Sequence, residues 1–84
     1  MVNNMEHQDI SLLNLSRNKK AKVTMIHGGH GLQHRLDSMG IRNGKEIKVV
    51  SKQPFQGPLT VEICGCQMTL GRDMARKIMV EMLQ

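Results

Sequence analysis

Residues 32–44 admit one local structure. Leu32, Leu36 and Met39 fall at i, i+4 and i+7, which makes a single apolar stripe on a short helix. Gly40 follows at once, where a helix ends through a residue in the left-handed conformation. Ile41 is then placed to fold back on Leu36, as a Schellman-type stop requires. Asn43-Gly44 adds a turn signal. The stretch therefore reads as helix, stop, turn.

Segments of alternating polarity lie on both sides. In residues 21–26, Ala21, Val23 and Met25 fall to one side, with Lys20, Lys22 and Thr24 on the other, the pattern of a half-buried strand. Residues 46–51 form a second strand with Ile47 and Val49 inward and Val50 interrupting its polar face. Residues 59–70 read as a hairpin. With Gly65-Cys66 at the centre of a type II′ turn, Cys64 opposes Gln67, Ile63 opposes Met68, Glu62 opposes Thr69 and Val61 opposes Leu70. The apolar pairs then share one face, and a slip of one residue would mix them. Residues 71–77 suit a short helix, with Asp73 near its start and Arg76 and Lys77 at its end, as the helix dipole favours. Ile78, Val80 and Met82 alternate in a last strand.

Five short strands in 84 residues leave no room for crossover helices, so a small closed or nearly closed barrel is favoured over a parallel sheet. The expected fold is mainly β: a five-stranded barrel with a short helix after strand 1 and another before the last strand. Residues 1–9 read as a flexible tail and residues 10–84 as one domain. Ile10, Leu12, Leu13 and Leu15 would dock on its edge, and Asn18 suits a turn that needs a positive φ. A chain of 9.5 kDa buries about 60–65% of its unfolded surface, enough for a thin core.

Composition narrows the function. Phe55 is the only aromatic residue. A proline-peptide groove and a base-stacking platform both need several rings, so neither is expected. Nucleic acid is a poor candidate partner for the same reason. No run of about 18 apolar residues is present, and the N-terminus lacks the basic start and apolar middle of a signal peptide. Cys64 and Cys66 are too close in sequence for an unstrained bridge. A reducing cytoplasmic setting is expected, with peripheral contact at the inner face of the membrane as an option. Residues 17–52 carry nine Lys and Arg against Asp37 and Glu46, giving +7 there and −2 elsewhere. Such a basic region suits an acidic protein surface or an anionic membrane.

Three groups of residues could carry chemistry. His27, His30 and His34 are spaced so that His30 and His34 share a helix face, and Cys64 and Cys66 could add soft ligands for Fe(II) or Zn(II). The apolar stripe lies beside this histidine face, so solvated surface histidines explain it as well. Gly28, Gly29 and Gly31 before the helix have neither the dinucleotide nor the P-loop spacing, and loop geometry accounts for them. No paired acid and base emerge, which points to a binding or regulatory module and not to an enzyme.

Several stretches resemble the FeoA family. They are residues 12–15; Lys19-Lys20-Ala21-Lys22-Val23; Gly28-Gly29; residues 35–44 with their Arg-Leu-x-x-Met-Gly-Ile-x-x-Gly pattern; residues 54–58; Val61-Glu62-Ile63-Cys64-Gly65; and residues 70 and 75–80. The resemblance spans residues 10–83. It implies an SH3-like barrel that accompanies the membrane transporter FeoB in ferrous-iron uptake and acts by protein–protein contact, with no required cofactor. Where the family usually has glycine, this chain has Asn18, which suits the same turn. Arg35 and Arg42 are the leading candidates for partner contact, followed by Lys19, Lys20 and Lys22. His27, His30, His34, Cys64 and Cys66 lie outside the family pattern; a metal sensor or chaperone is the alternative they support. Similar domains also end metal-dependent repressors of the diphtheria-toxin-repressor type. That second alternative predicts a DNA-binding region upstream, which the tail before residue 10 does not resemble.

Overall fold

The structure, a computed structural model, describes residues 9–83. Six strands form one antiparallel sheet: β1 (Asp9–Ser11), β2 (Lys20–Ile26), β3 (Glu46–Lys52), β4 (Leu59–Ile63), β5 (Cys66–Leu70) and β6 (Ile78–Met82). Their order is β1-β6-β2-β3-β4-β5. Helix α1 (His30–Ser38) joins β2 to β3, and α2 (Arg72–Arg76) joins β5 to β6. The mainly β, SH3-like architecture expected from the sequence is present.

The helix stop is built as the sequence requires. Gly40 has φ +90°. Its N–H donates to Asp37 O at 3.0 Å, and the Ile41 N–H donates to Leu36 O at 2.9 Å. These are the two bonds of a Schellman motif. They bring Leu36 and Ile41 together in the core, where both are fully buried. Burying such a side chain contributes about 1.5–3 kcal/mol. The next turn is tied to the sheet: Lys45 N–H donates to Arg42 O at 3.1 Å, and Gly44 N–H donates to Val23 O at 2.8 Å.

Inward residues of the sheet complete the core, among them Val23, Ile47, Val49, Val61, Ile63 and Val80. Ala75 of α2 and Leu12 and Leu15 of the N-terminal segment close it. No polar or charged side chain is buried among the described residues.

Three details differ from the sequence reading. First, β1 is a sixth strand, so Asp9, placed in the tail, is part of the sheet; residues 1–8 lie outside the described residues. Ile10 pairs with Val80, and Ser11 Oγ lies 3.3 Å and 3.2 Å from the carbonyls of Ala75 and Arg76 as their donor. Three residues are too few for alternation to register. Second, Met25 is half exposed instead of inward. A bulge between Val23 and Met25 shifts the alternation, so Ile26 opposes Ile78 on the core side. A like irregularity between Val49 and Ser51 accounts for the out-of-pattern Val50. Third, the hairpin is displaced. Ile63 pairs with Cys66 and Val61 with Met68, so Cys64-Gly65 is the turn. Both residues have positive φ, +53° and +81°, as a type I′ turn needs. Cys66 therefore opens β5, and Cys64 occupies the tip. Moving the turn back one residue slides the pairing by two, which leaves every side chain on its expected face.

Space is not what restricts Gly40, because a Cβ there would meet no atom within 4 Å. Its φ is the restriction. Gly40→Ala should lower the unfolding free energy by about 1–2 kcal/mol, and Gly40→Asn by less, since Asn tolerates this region. Urea denaturation measures both, and an Ala variant as stable as wild type would remove the left-handed stop from this account.

Candidate functional site

The candidate contact residues occupy two surroundings. Arg35 sits in the last turn of α1, exposed, where a cation suits the negative helix end. Arg42 lies just past the stop, and its Nε is 3.3 Å from Asp37 Oδ1. Both partners of this ion pair are more than half exposed. Such a pair is weak and readily exchanged for an external acid.

Lys20 and Lys22 project from the polar face of β2 and meet charges that the sequence order does not reveal. Lys22 stands in register between Glu46 of β3 and Glu81 of β6. Lys20 is opposite Lys48, whose Nζ is 3.7 Å from Glu62 Oε1 on β4. Lys20, Lys48, Glu46 and Glu62 line a shallow cleft of about 390 Å³ together with Cys64. The basic strand is thus interleaved with carboxylates brought by its neighbours. Of the candidate lysines, Lys22 alone has a carboxylate in register on both sides; Lys19, before β2, is exposed. Of the five candidates, Arg35, Lys19 and Lys20 have no ion-pair partner among the described residues.

The candidate metal ligands do not converge. His30 and His34 line a second cleft, of about 440 Å³, beside Gln33, Ile41 and the Asp37–Arg42 pair. His27 follows β2, where its N–H donates to Lys77 O at 2.8 Å. Cys64 and Cys66 are exposed free thiols at the hairpin end, and Cys64 belongs to the other cleft. Among the described residues, no three His, Cys, Asp or Glu side chains form a group able to hold a metal ion. The glycine loop before α1 is held from within. Gln33 Nε2 donates to Gly28 O at 3.0 Å and lies 3.4 Å from Ile26 O. Gln33 was invisible in the sequence pattern, since nothing in a lone glutamine marks it as a loop clasp.

Among the described residues no helix is long and apolar enough to cross a membrane. A curled antiparallel sheet over one apolar core, with its charge carried on exposed side chains, defines a small SH3-like domain. The chain belongs to the FeoA domain family, which it matches over residues 10–82. A relative from Methanocaldococcus jannaschii, carrying the provisional name Fe(2+) transport protein A, is 42% identical over 59 residues, 70% of each chain. The crystal structure of an iron uptake regulatory protein (FeoA) superposes with a TM-score of 0.82 at 29% identity, covering 90% of this chain and 99% of that one. A manganese-dependent transcriptional repressor shares the fold, with a TM-score of 0.83 at 22% identity. This chain covers 43% of that repressor's length.

The exposure of Asp37 and Arg42 sets the strength of their pairing. A double-mutant cycle with Asp37→Ala and Arg42→Ala should give a coupling of about 0.2–1 kcal/mol that vanishes in molar salt. A coupling well above that range, insensitive to salt, would mean that Arg42 is locked in place and not available to a partner.

Proposed function

We propose that this domain is an accessory protein of ferrous-iron uptake that docks on the cytoplasmic portion of a FeoB-type transporter and modulates it. Membership of the FeoA family across residues 10–82 is the observation that carries this reading. The surface supports it in kind. Arg35 and Arg42 flank one exposed helix end, and the Arg42 ion pair can be traded for a partner's carboxylate at little cost. Lys19 and Lys20 would extend the contact or meet anionic lipid beside the transporter. Lys22, between two glutamates, contributes least.

One observation favours a second reading. His30 and His34 open on the same cleft. Two imidazoles at i, i+4 would capture Fe(II) or Zn(II) weakly and transiently. Calorimetric titration with Zn(II) should then show weak binding that His30→Ala/His34→Ala loses. Equal binding by the two proteins would remove the histidines from the account.

The docking surface is tested by charge reversal. Arg35→Glu/Arg42→Glu should weaken binding to the purified transporter by about tenfold or more. The wild-type affinity should also fall with added salt. The unfolding midpoint should stay close to wild type, because both side chains are exposed. Unchanged affinity would mean that docking uses another surface.

A further inference from the structure

We propose that the loop between β3 and β4 is a preformed anchor that seats Phe55 in an apolar pocket of a protein partner. The proposal rests on the transporter-docking reading and adds a specific contact to it. Phe55, the sole aromatic residue of the chain, takes no part in the core: it is 97% exposed at the loop tip. An aromatic ring is the largest apolar contribution a single residue of this chain could make. The fold leaves that contribution unused.

The loop holds the ring in a conformation that a phenylalanine does not choose by itself. Phe55 and Gln56 have φ of +58° and +62°. Both are left-handed, and for a bulky residue this is an outlier that needs support from its surroundings. That support is present. Gly57 N–H donates to Pro54 O at 3.2 Å, and Gln53 N–H donates to Pro58 O at 3.0 Å across the neck. The neck is so tight that a Cβ on Gly57 would lie 2.6 Å from Gln53 Cβ. Two prolines fix φ on either side of the tip. Lys52 Nζ ties the base to Leu13 O at 3.1 Å. An Asn-Gly pair would make the same reversal with less strain, so what Phe55 adds at this position is its ring. A loop backbone already held in place loses little conformational entropy on docking, so only the rotamer freedom of the ring is left to lose.

The surroundings of the ring favour a protein pocket. Gln53 and Gln56 beside it are neutral and exposed, which suits the hydrogen-bonding rim around a buried aromatic anchor. Residues 53–58 carry no cation and no second large apolar side chain. Membrane binding strengthens with both, so the tip itself is poorly equipped for a lipid surface. The two clefts described above are lined mostly by charged and polar side chains, which suits them poorly to an aromatic ring from a second copy of this chain.

The full chain and the detergent-purified FeoB-type transporter provide the test. Phe55→Ala and Phe55→Asn should each weaken binding by about tenfold or more. The Asn variant keeps the left-handed turn, so it isolates the ring from the backbone, and its thermal midpoint should equal or exceed that of wild type. The chain has no Trp or Tyr, so Phe55→Trp places a lone indole at the tip. Its emission should shift to the blue when the transporter is added. Wild-type binding that both Phe55→Ala and Phe55→Asn leave intact overturns the anchor and leaves transporter docking standing. A wild type that does not bind overturns both. A blue shift on phosphatidylglycerol vesicles alone, or a wild-type dimer that Phe55→Ala dissociates, assigns the ring to lipid or to self-association and overturns the protein-pocket proposal.

Discussion

The hydrogen bond from Ile41 N–H to Leu36 O, 2.9 Å long, is where the local and global structure of this domain meet. It exists because Gly40 turns the chain through a conformation that other residues adopt at a cost. It reverses the chain and presents two large aliphatic side chains to the same core. The sheet depends on that delivery. With one phenylalanine, itself outside the core, the interior is aliphatic throughout. Each Leu or Ile then carries a larger share of the buried area, and the stop supplies two of them from outside the sheet. The turn that follows bonds to Val23 O, so the exit from the helix also fixes the entry to β3.

The polar face of the sheet follows a different logic. Its charges are few and arranged by register. Glu46, Glu62 and Glu81 come from three strands and stand against Lys22 and Lys48. Like charges alone on such a face would repel across a spacing of about 5 Å; the glutamates relieve this around Lys22 and Lys48, while Lys20 still faces Lys48 across the strands. As a result, the positive character evident between residues 17 and 52 is partly cancelled on the sheet. It persists better at the helix end, where Arg35 stands without an ion-pair partner among the described residues. The proposed docking surface gains from this division, because the exposed cations at the helix end stay attractive to acids.

How much could be read from the sequence depended on the range of the determining interaction. The helix stop was legible because Leu36, Gly40 and Ile41 lie within six residues and each has a local reason for its identity. The face assignments of the hairpin were legible from alternation. Its register was not, since a shift of two residues preserves every face and only the left-handed φ of Cys64 and Gly65 decides between the alternatives. Met25 was misassigned because a bulge leaves no trace in a period-two pattern. Within the candidate site, Arg35 and Arg42 were accessible by their place beside the stop. The carboxylates in register with Lys22 were not, because Glu46 and Glu81 lie 24 and 59 residues away in the chain. Nor did alternation or spacing reveal that His30 and His34 open on one cleft and Cys64 on another. Phe55 registered in the sequence only as a count; its meaning comes from its exposure and backbone conformation.

The central claim is that the Leu36–Ile41 stop belongs to the cooperative core and is not a local ornament of the helix. Native-state hydrogen exchange of the Ile41 amide tests this most directly. If the account is right, that amide exchanges only through global unfolding, with the same opening free energy and denaturant dependence as the core amides of β2 and β6. Exchange through a smaller, denaturant-insensitive opening, while β2 and β6 stay protected, would show that the stop frays independently and that the sheet does not depend on it.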